Sequence, residues 1–274
     1  MPAVSVIIPT YNRKWFWQTR RLLDALLGQT ATDFEVVIVD DASTDGTGAW
    51  LYWQLRQQDK FSFRIYRTTA DKQLATQASA LPDNVLFANA RSPVVAHLDD
   101  DCWIGPRYVE YLIGRDLARQ PAVWYAAQTF IEPATGAVWR GDWRVKKFIP
   151  AVADHVQITP EMKCAWGAAY AAPLAVIREL GGHDMAIAPF RGQDARLGVR
   201  LQQKIPLYLS NHPAMQVNHW GRSWWAEMEI AGRMTEVRDV ARSPNLGYHE
   251  ELVVNGGAAF WDSNQLDPFY YEVT

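Results

Sequence analysis

Three consecutive carboxylates, Asp99, Asp100 and Asp101, close a short apolar run that begins at Pro93. A short apolar run bounded by turn residues reads as a buried strand. A strand that delivers three like charges to one sheet edge is electrostatically costly, and desolvation raises the cost. A hard divalent cation with oxygen ligands, bridging to a phosphate, is the natural compensation. Helix capping explains the triplet poorly: the next helix is expected to open at Pro106 after a Gly105 cap, several residues downstream. A second acidic pair, Asp40 and Asp41, ends the apolar run Glu35–Val39. Asp194 stands at the head of a helical pattern. There it suits an N-cap, and the positive helix end would favour the ionised form that a general base needs. His219 ends a short strand pattern on the face of Met215 and Val217, whereas His97 lies inside an apolar strand and is expected to be a hydrogen-bonded core residue.

These groups need elements to hold them. Val4–Ile8, Glu35–Val39, Phe61–Ile65 and Pro93–Leu98 read as strands. Helical patterns lie between them: one to about Leu27, one opening after Ser43–Thr47 with Thr44 or Asp45 as cap, and one from Pro82 to Ala90. Strand–helix alternation implies a parallel sheet with helices on both faces. In such sheets ligands bind beyond the carboxyl ends of the strands, where Pro9–Arg13, Asp40–Asp41 and Asp99–Asp101 converge. After about residue 116 the pattern changes. A hairpin is expected from Ala122–Ile131 and Ala137–Val145, and an irregular, mobile loop from Lys146 to Pro160. Strands follow at 166–170, 205–209 and 215–219. Helices are expected at Pro173–Leu180, stopped by Gly181 and Gly182, and after Asp194. A final helix at 224–241 precedes a tail without periodicity. The expected division is a first half at 1–116, a second half of the same domain at 117–222, and a C-terminal helix and tail at 223–274.

With 274 residues, 49% of them hydrophobic, and a net charge of −3, the chain can bury a sizeable core. The lack of a basic excess argues against an obligate nucleic-acid partner. Met1-Pro2-Ala3 leads straight into a strand pattern, no signal peptide is visible, and no apolar run is long enough to cross a bilayer. Peripheral membrane association stays open. The only cysteines, Cys102 and Cys164, fit reduced thiols in the cytoplasm. Tryptophan, at 13 residues, is unusually frequent. Its rings can stack on sugars, although most tryptophans fill cores.

From Val4 to about Trp220 these landmarks resemble the family-2 glycosyltransferases, whose fold is the α/β GT-A nucleotide-diphospho-sugar domain. The segments that carry the likeness are Val4–Arg13, Gln29–Thr30 followed by Asp33–Thr47, Asn84 and Ala90 spaced from Asp99–Asp101 as from a DXD motif, Gly181–Asp184, and Gln193–Asp194. His183 stands for the usual Phe and Gln193 for the usual Glu. The first strand and Asp194–Arg196 are similar to the spore-coat branch. The resemblance implies a mostly parallel central sheet flanked by helices, a small antiparallel element and a C-terminal helical extension, with 1–116 as the nucleotide-sugar-binding half and 117–222 as the acceptor-binding and catalytic half. It implies an inverting, metal-dependent hexosyltransferase in polysaccharide biosynthesis, acting on a nucleotide-sugar donor and a glycan or glycoconjugate acceptor.

Its site residues carry over as follows. Asp101 is the principal ligand of Mn2+ or Mg2+, with Asp99 second and His219 a further candidate. Pro9, Thr10, Tyr11 and Asn12 wall the donor pocket. Asp41 reads the N3–H edge of uracil or thymine, Asp100 accepts from donor hydroxyls, and Lys72 or Arg67 pairs with the donor. Asp194 is the base. Trp166, His183 and Asp184 face the acceptor. Two other readings compete. A nucleotidyltransferase should carry a glycine-rich basic loop after the first strand, and Pro9–Arg13 has no glycine. An inactive binding module of the same fold would be favoured by loss of the acids, which are present.

Overall fold

In the computed structural model the described residues are 1–14, 17–68, 80–132, 135–162, 168–184, 193–220 and 270–272. The N-terminal part alternates strand and helix: β1 (Val4–Thr10), α1 (Trp17–Leu27), β2 (Phe34–Asp40), α2 (Thr47–Leu55), β3 (Ser62–Thr68), α3 (Ala80–Asn89) and β4 (Val94–Leu98). Next come β5 (Cys102–Ile104), α4 (Tyr108–Gly114), β6 (Val123–Ala126), β7 (Gln128–Ile131), β8 (Val138–Gly141), α5 (Trp143–Phe148) and β9 (His155–Gln157). The remainder is β10 (Ala169–Pro173), α6 (Leu174–Glu179), α7 (Gln193–Gln202), β11 (Leu207–Ser210), β12 (Val217–Trp220) and β13 (Tyr270–Glu272).

The main sheet has nine strands in the order β13-β3-β2-β1-β4-β10-β6-β11-β9. Strands β3, β2, β1 and β4 are mutually parallel. Strand β10 is antiparallel to both β4 and β6, and β11 is parallel to β6, so β6 and β11 run with the first four. Six of the nine strands thus share one direction. The two expected halves are joined by this one sheet.

The reason lies in the side chains. Val4, Val6 and Ile8 of β1 pack into one core layer and Ile7 into the other; Val36 and Ile38 of β2 oppose Val37 and Val39 in the same way. Both faces are covered, so the strands read as continuous apolar runs rather than alternating ones. Helices α1 and α2 bury Leu22, Leu26, Leu51 and Leu55 on one face, and α3 and α7 bury Val85, Leu86, Leu197 and Leu201 on the other. At the end of α6, Gly181 (φ 77) and Gly182 (φ 66) adopt the left-handed conformation that terminates helices.

A second sheet, β5-β12-β7-β8, stands beside the main one. Its β7–β8 and β5–β12 pairs are antiparallel and its β12–β7 pair is parallel. The hairpin is therefore present, but its return strand stops at Gly141. Asp142 there accepts from the Arg144 N–H and caps α5. The expected mobile loop at Lys146–Pro160 is instead the end of α5, strand β9 and the first residue of a 3₁₀ turn. Its Ile158 N–H bonds Leu207 O at 2.7 Å, which pins it to the sheet. Helix α4 begins at Tyr108 rather than Pro106, with Arg107 at the cap position. The sequence after 220 gave no strand signal, yet Tyr270–Glu272 pairs antiparallel with β3 and covers its outer edge. The expected helix at 224–241 lies outside the described residues, as do Lys72 and Trp166.

Candidate active site

The carboxyl ends of β1, β2 and β4 meet at one rim, and the loops beyond them are stitched together. Asn12, at φ 52, occupies the left-handed region that Asn tolerates. Its N–H bonds Ser43 Oγ at 2.8 Å, and its Oδ1 accepts from Thr44 N–H at 2.8 Å. The Asp41 N–H bonds Thr10 O at 2.8 Å.

The two acids after β2 have separate tasks. Asp40 is fully buried and serves its own loop. Oδ1 accepts from Ser43 N–H at 3.0 Å, while Oδ2 accepts from Gly48 N–H at 3.2 Å and from Arg67 Nη1 at 3.1 Å. Asp40 thus takes over the capping of α2, whose cap residue Gly46 offers no side chain; Asp45 Oδ1 adds a bond from Thr47 N–H at 2.9 Å. Arg67, weighed as a donor contact, is committed to Asp40 and to Ser43 O. Asp41 is left to line the cavity. Burial raises its pKa, and the 2.8 Å bond from Thr68 Oγ1 opposes that shift.

The cavity, of about 580 Å3, is lined by Pro9, Thr10, Tyr11, Asn12, Arg13, Asp41, Pro82, Asp99, Asp100 and Asp101. That volume lies within the range of small-molecule sites. The structure therefore brings the β1 loop, Asp41 and the triplet into one concavity. Arg13 stands among the acids. Its Nε lies 3.0 Å from Asp100 Oδ2 and its Nη2 lies 3.9 Å from Asp101 Oδ2. Asp100 also accepts from Thr10 Oγ1 at 2.7 Å. Burial pushes the Asp100 carboxyl up to about 6 despite Arg13. Desolvation, then Asp101 and Asp100, push Asp99 well above the usual range, against the pull of His97. Sequence reading placed Arg13 in the loop without giving it a role. The available signal was that it carries positive charge in a segment that ends beside three carboxylates.

Asp101 reaches the other way as well. Its Oδ1 lies 3.5 Å from His219 Nε2, and strand β12, antiparallel to β5, places His219 across from Cys102. Asp101, Cys102 and His219 offer ligand atoms within 4.8 Å of one another. Burial raises the pKa of the Cys102 thiol, and thiolates suit softer metals than Mn2+ or Mg2+. Asp101 and His219 remain, an oxygen and an imidazole nitrogen, a donor pair compatible with a divalent cation.

Asp194, His183 and Asp184 are not among the described residues lining the cavity. Asp194 heads α7, with Oδ1 accepting from Ala195 N–H at 2.8 Å; burial raises its pKa, and His183 and His97 draw it back. His183 is buried rather than presented on a surface. Its N–H bonds Asn84 Oδ1 at 2.8 Å, its ring stacks on Phe87, and its Nε2 is 3.5 Å from Asp83 Oδ2. Asp83 also meets His97 Nε2 at 3.0 Å, and the His97 ring stacks on Tyr170. His97 is thus a bonded core residue. Its Nδ1, 4.0 Å from Asp99 Oδ1, connects this buried cluster to the cavity. Asp83 carries no sequence signal, because it sits in a helix among buried neighbours.

This mixed sheet, with an acidic triplet at one rim, has the fold of the GT-A glycosyltransferases. The profile described as Glycosyl transferase family 2 matches residues 5–171, more than half of the chain, which therefore belongs to that family. Validoxylamine A glucosyltransferase of Streptomyces hygroscopicus subsp. jinggangensis is 28% identical over 244 residues, covering 77% of this chain and 54% of the relative. The chain thus spans about half the length of that relative. The crystal structure of S. aureus TarS 1-349 in complex with UDP-GlcNAc matches with a TM-score of 0.59 at 18% identity, over 81% of this chain and 59% of the other. The same protein with UDP matches with a TM-score of 0.61 at 17% identity, over 89% and 66%.

Proposed function

We propose that this protein transfers a sugar from a nucleoside-diphosphate sugar, UDP- or dTDP-linked, to a hydroxyl of a glycan or glycoconjugate, with inversion and with Mn2+ or Mg2+. The observation that carries the reading is the rim cavity, where the β1 loop and Asp41 share one concavity with Asp99–Asp101. Asp41 would accept from the base N3–H, with Pro9, Thr10, Tyr11 and Asn12 as the wall. Asp100, fixed by Thr10 and Arg13, would accept from ribose or sugar hydroxyls. Arg13 adds positive charge beside the departing diphosphate. Asp101 and His219 would hold the cation, with Asp99 as a further ligand; when bound, the metal supplies Lewis-acid neutralisation of the diphosphate charge. Asp194 would take the acceptor hydroxyl proton, with Asp184 and Trp166 on the acceptor side and Lys72 near the donor. His183 acts from behind, holding Asn84. The cytoplasmic setting expected from the cysteines belongs to the same reading.

The test is donor hydrolysis without acceptor. Slow release of UDP from UDP-sugars that requires Mn2+ is expected. No release from any nucleoside-diphosphate sugar, together with nucleoside triphosphate turnover, would favour a nucleotidyltransferase instead.

A further inference from the structure

The sequence between Ala137 and Ala153 forms β8, α5 and the turn after it, and it presents large apolar side chains to solvent. Val138 is 66% exposed, Trp139 39%, Trp143 45% and Val152 99%. Elsewhere among the described residues exposed side chains of this size are scattered singly, which needs no explanation. Here they share a short segment with three exposed basic residues, Arg140, Lys146 and Lys147. The sole acid of the segment, Asp142, is withdrawn from the surface. Its Oδ2 lies 2.6 Å from Arg144 Nη2 and accepts from Gln128 N–H at 3.2 Å. The exposed charge of the segment is therefore entirely positive, on a chain whose net charge is −3.

The cations are interleaved with rings. Arg140 lies 4.9 Å over Phe130 and 4.7 Å over Trp139. Lys147 Nζ lies 5.6 Å from the Trp143 ring and 5.0 Å from that of Phe148. Aromatic rings with a wet edge and lysines with long apolar stems are the residues that settle at a lipid headgroup boundary. The buried Asp142–Arg144 pair also ties α5 to β7.

We propose that this segment is a docking surface for an anionic lipid bilayer: Trp139, Trp143, Val138 and Val152 enter the headgroup layer while Arg140, Lys146 and Lys147 pair with lipid phosphates. Charge complementarity selects this occupant. Lys146 and Lys147 suit anionic phosphates rather than an uncharged surface, and a soluble ligand gives no reason for a fully exposed Val152. Among the described residues no helix is long and apolar enough to cross a membrane, so attachment through this segment would be peripheral. One sheet links β8 to the strand that carries His219. Strand β8 is the outer strand of the β5-β12-β7-β8 sheet, and His219, Phe130 and Arg140 lie opposite one another across β12, β7 and β8. Docking would thus bring the His219 side of the cavity toward the bilayer.

The test is sedimentation of the full chain with vesicles of phosphatidylglycerol and phosphatidylcholine, against vesicles of phosphatidylcholine alone. No donor or acceptor is needed, so the outcome is independent of the proposed transfer reaction. Binding to the anionic vesicles only, weakened by salt, is expected. Lys146→Glu combined with Lys147→Glu should lower the partition coefficient by about tenfold or more, since each basic group near an anionic surface contributes to attachment. Val152→Ser combined with Trp143→Ser should lower it as well, and Arg119→Glu, outside the segment, should not. Val152→Ser alone keeps the test valid if the Trp143 variant melts early. No binding of the wild type to anionic vesicles overturns the proposal, as does binding that both segment variants leave unchanged. Binding of soluble polyglutamate by the same residues without vesicle binding overturns it too, in favour of an acidic polymer.

Discussion

As the proposed base, Asp194 must be ionised to accept a proton, yet burial raises its pKa. The acid limb of the pH–rate profile should therefore lie above the ordinary carboxylate range, with activity falling as pH drops through that raised value. Asp194→Asn keeps size and most of the capping bond. Turnover should fall about 10²–10⁴-fold, typical of a lost general base, with donor affinity little changed. Asp101→Asn should abolish Mn2+-dependent transfer while leaving the melting temperature unchanged or raised, because one of three clustered charges is gone. Buried Asp83 and His97 give a stability prediction. Burial alone would raise the Asp83 pKa, but His97 brings it below its ordinary value; Asp83 likewise raises that of His97 against burial. The Asp83 contribution is present above the ordinary carboxylate pKa and is lost as pH falls through its lowered value. The His97 contribution is complete below the ordinary imidazole pKa and is lost as pH rises through its raised value. Asp83→Asn should cost about 3–5 kcal/mol, as for a broken buried pair, and most between those limits. Denaturant melts across pH check this; a pH-independent cost would sink it.

Elements show where sequence reading succeeded and where it stopped. Strands β1, β2 and β4 were legible because both faces are buried and their apolar runs are continuous. The β2 loop was harder. Two adjacent aspartates look alike in sequence, and only the fold separates Asp40, which holds Ser43, Gly48 and Arg67, from Asp41, which faces the cavity. The segment 146–160 read as irregular because α5 and β9 are short and half-exposed, too brief for a period to show. Strand β13 is too short to alternate visibly and gains its place from pairing with β3. The Gly181–Gly182 stop was legible, and it makes a testable hinge of packing. A Cβ at Gly182 would run into Asn84 Oδ1, and its φ of +66 disfavours any other residue. Gly182→Ala should cost at least about 1 kcal/mol and disturb the Asn84–His183 bonds. An unchanged melting temperature would contradict that packing.

At the scale of the whole molecule, one sheet joins the loops after β1, β2 and β4 to the face on which α7 packs, so ligand binding at the rim cavity should stabilise the entire domain as one unit. Ligand at about 100 times its dissociation constant should add about 2.7 kcal/mol. His183 and Asp83, far apart in sequence, meet only because α3 and the α6 turn pack on the same sheet face, and no linear pattern announces that meeting. The central claim is that the rim cavity takes a nucleoside diphosphate together with a divalent cation. Calorimetric titration of UDP into the full chain, with Mn2+ and then with chelator, tests it most directly. Saturable binding of UDP is expected, stronger than that of ADP, lost on chelation and in Asp101→Asn, with the preference over ADP reduced in Asp41→Ala. Absence of binding by UDP, dTDP, GDP and ADP alike in the presence of Mn2+ would contradict it.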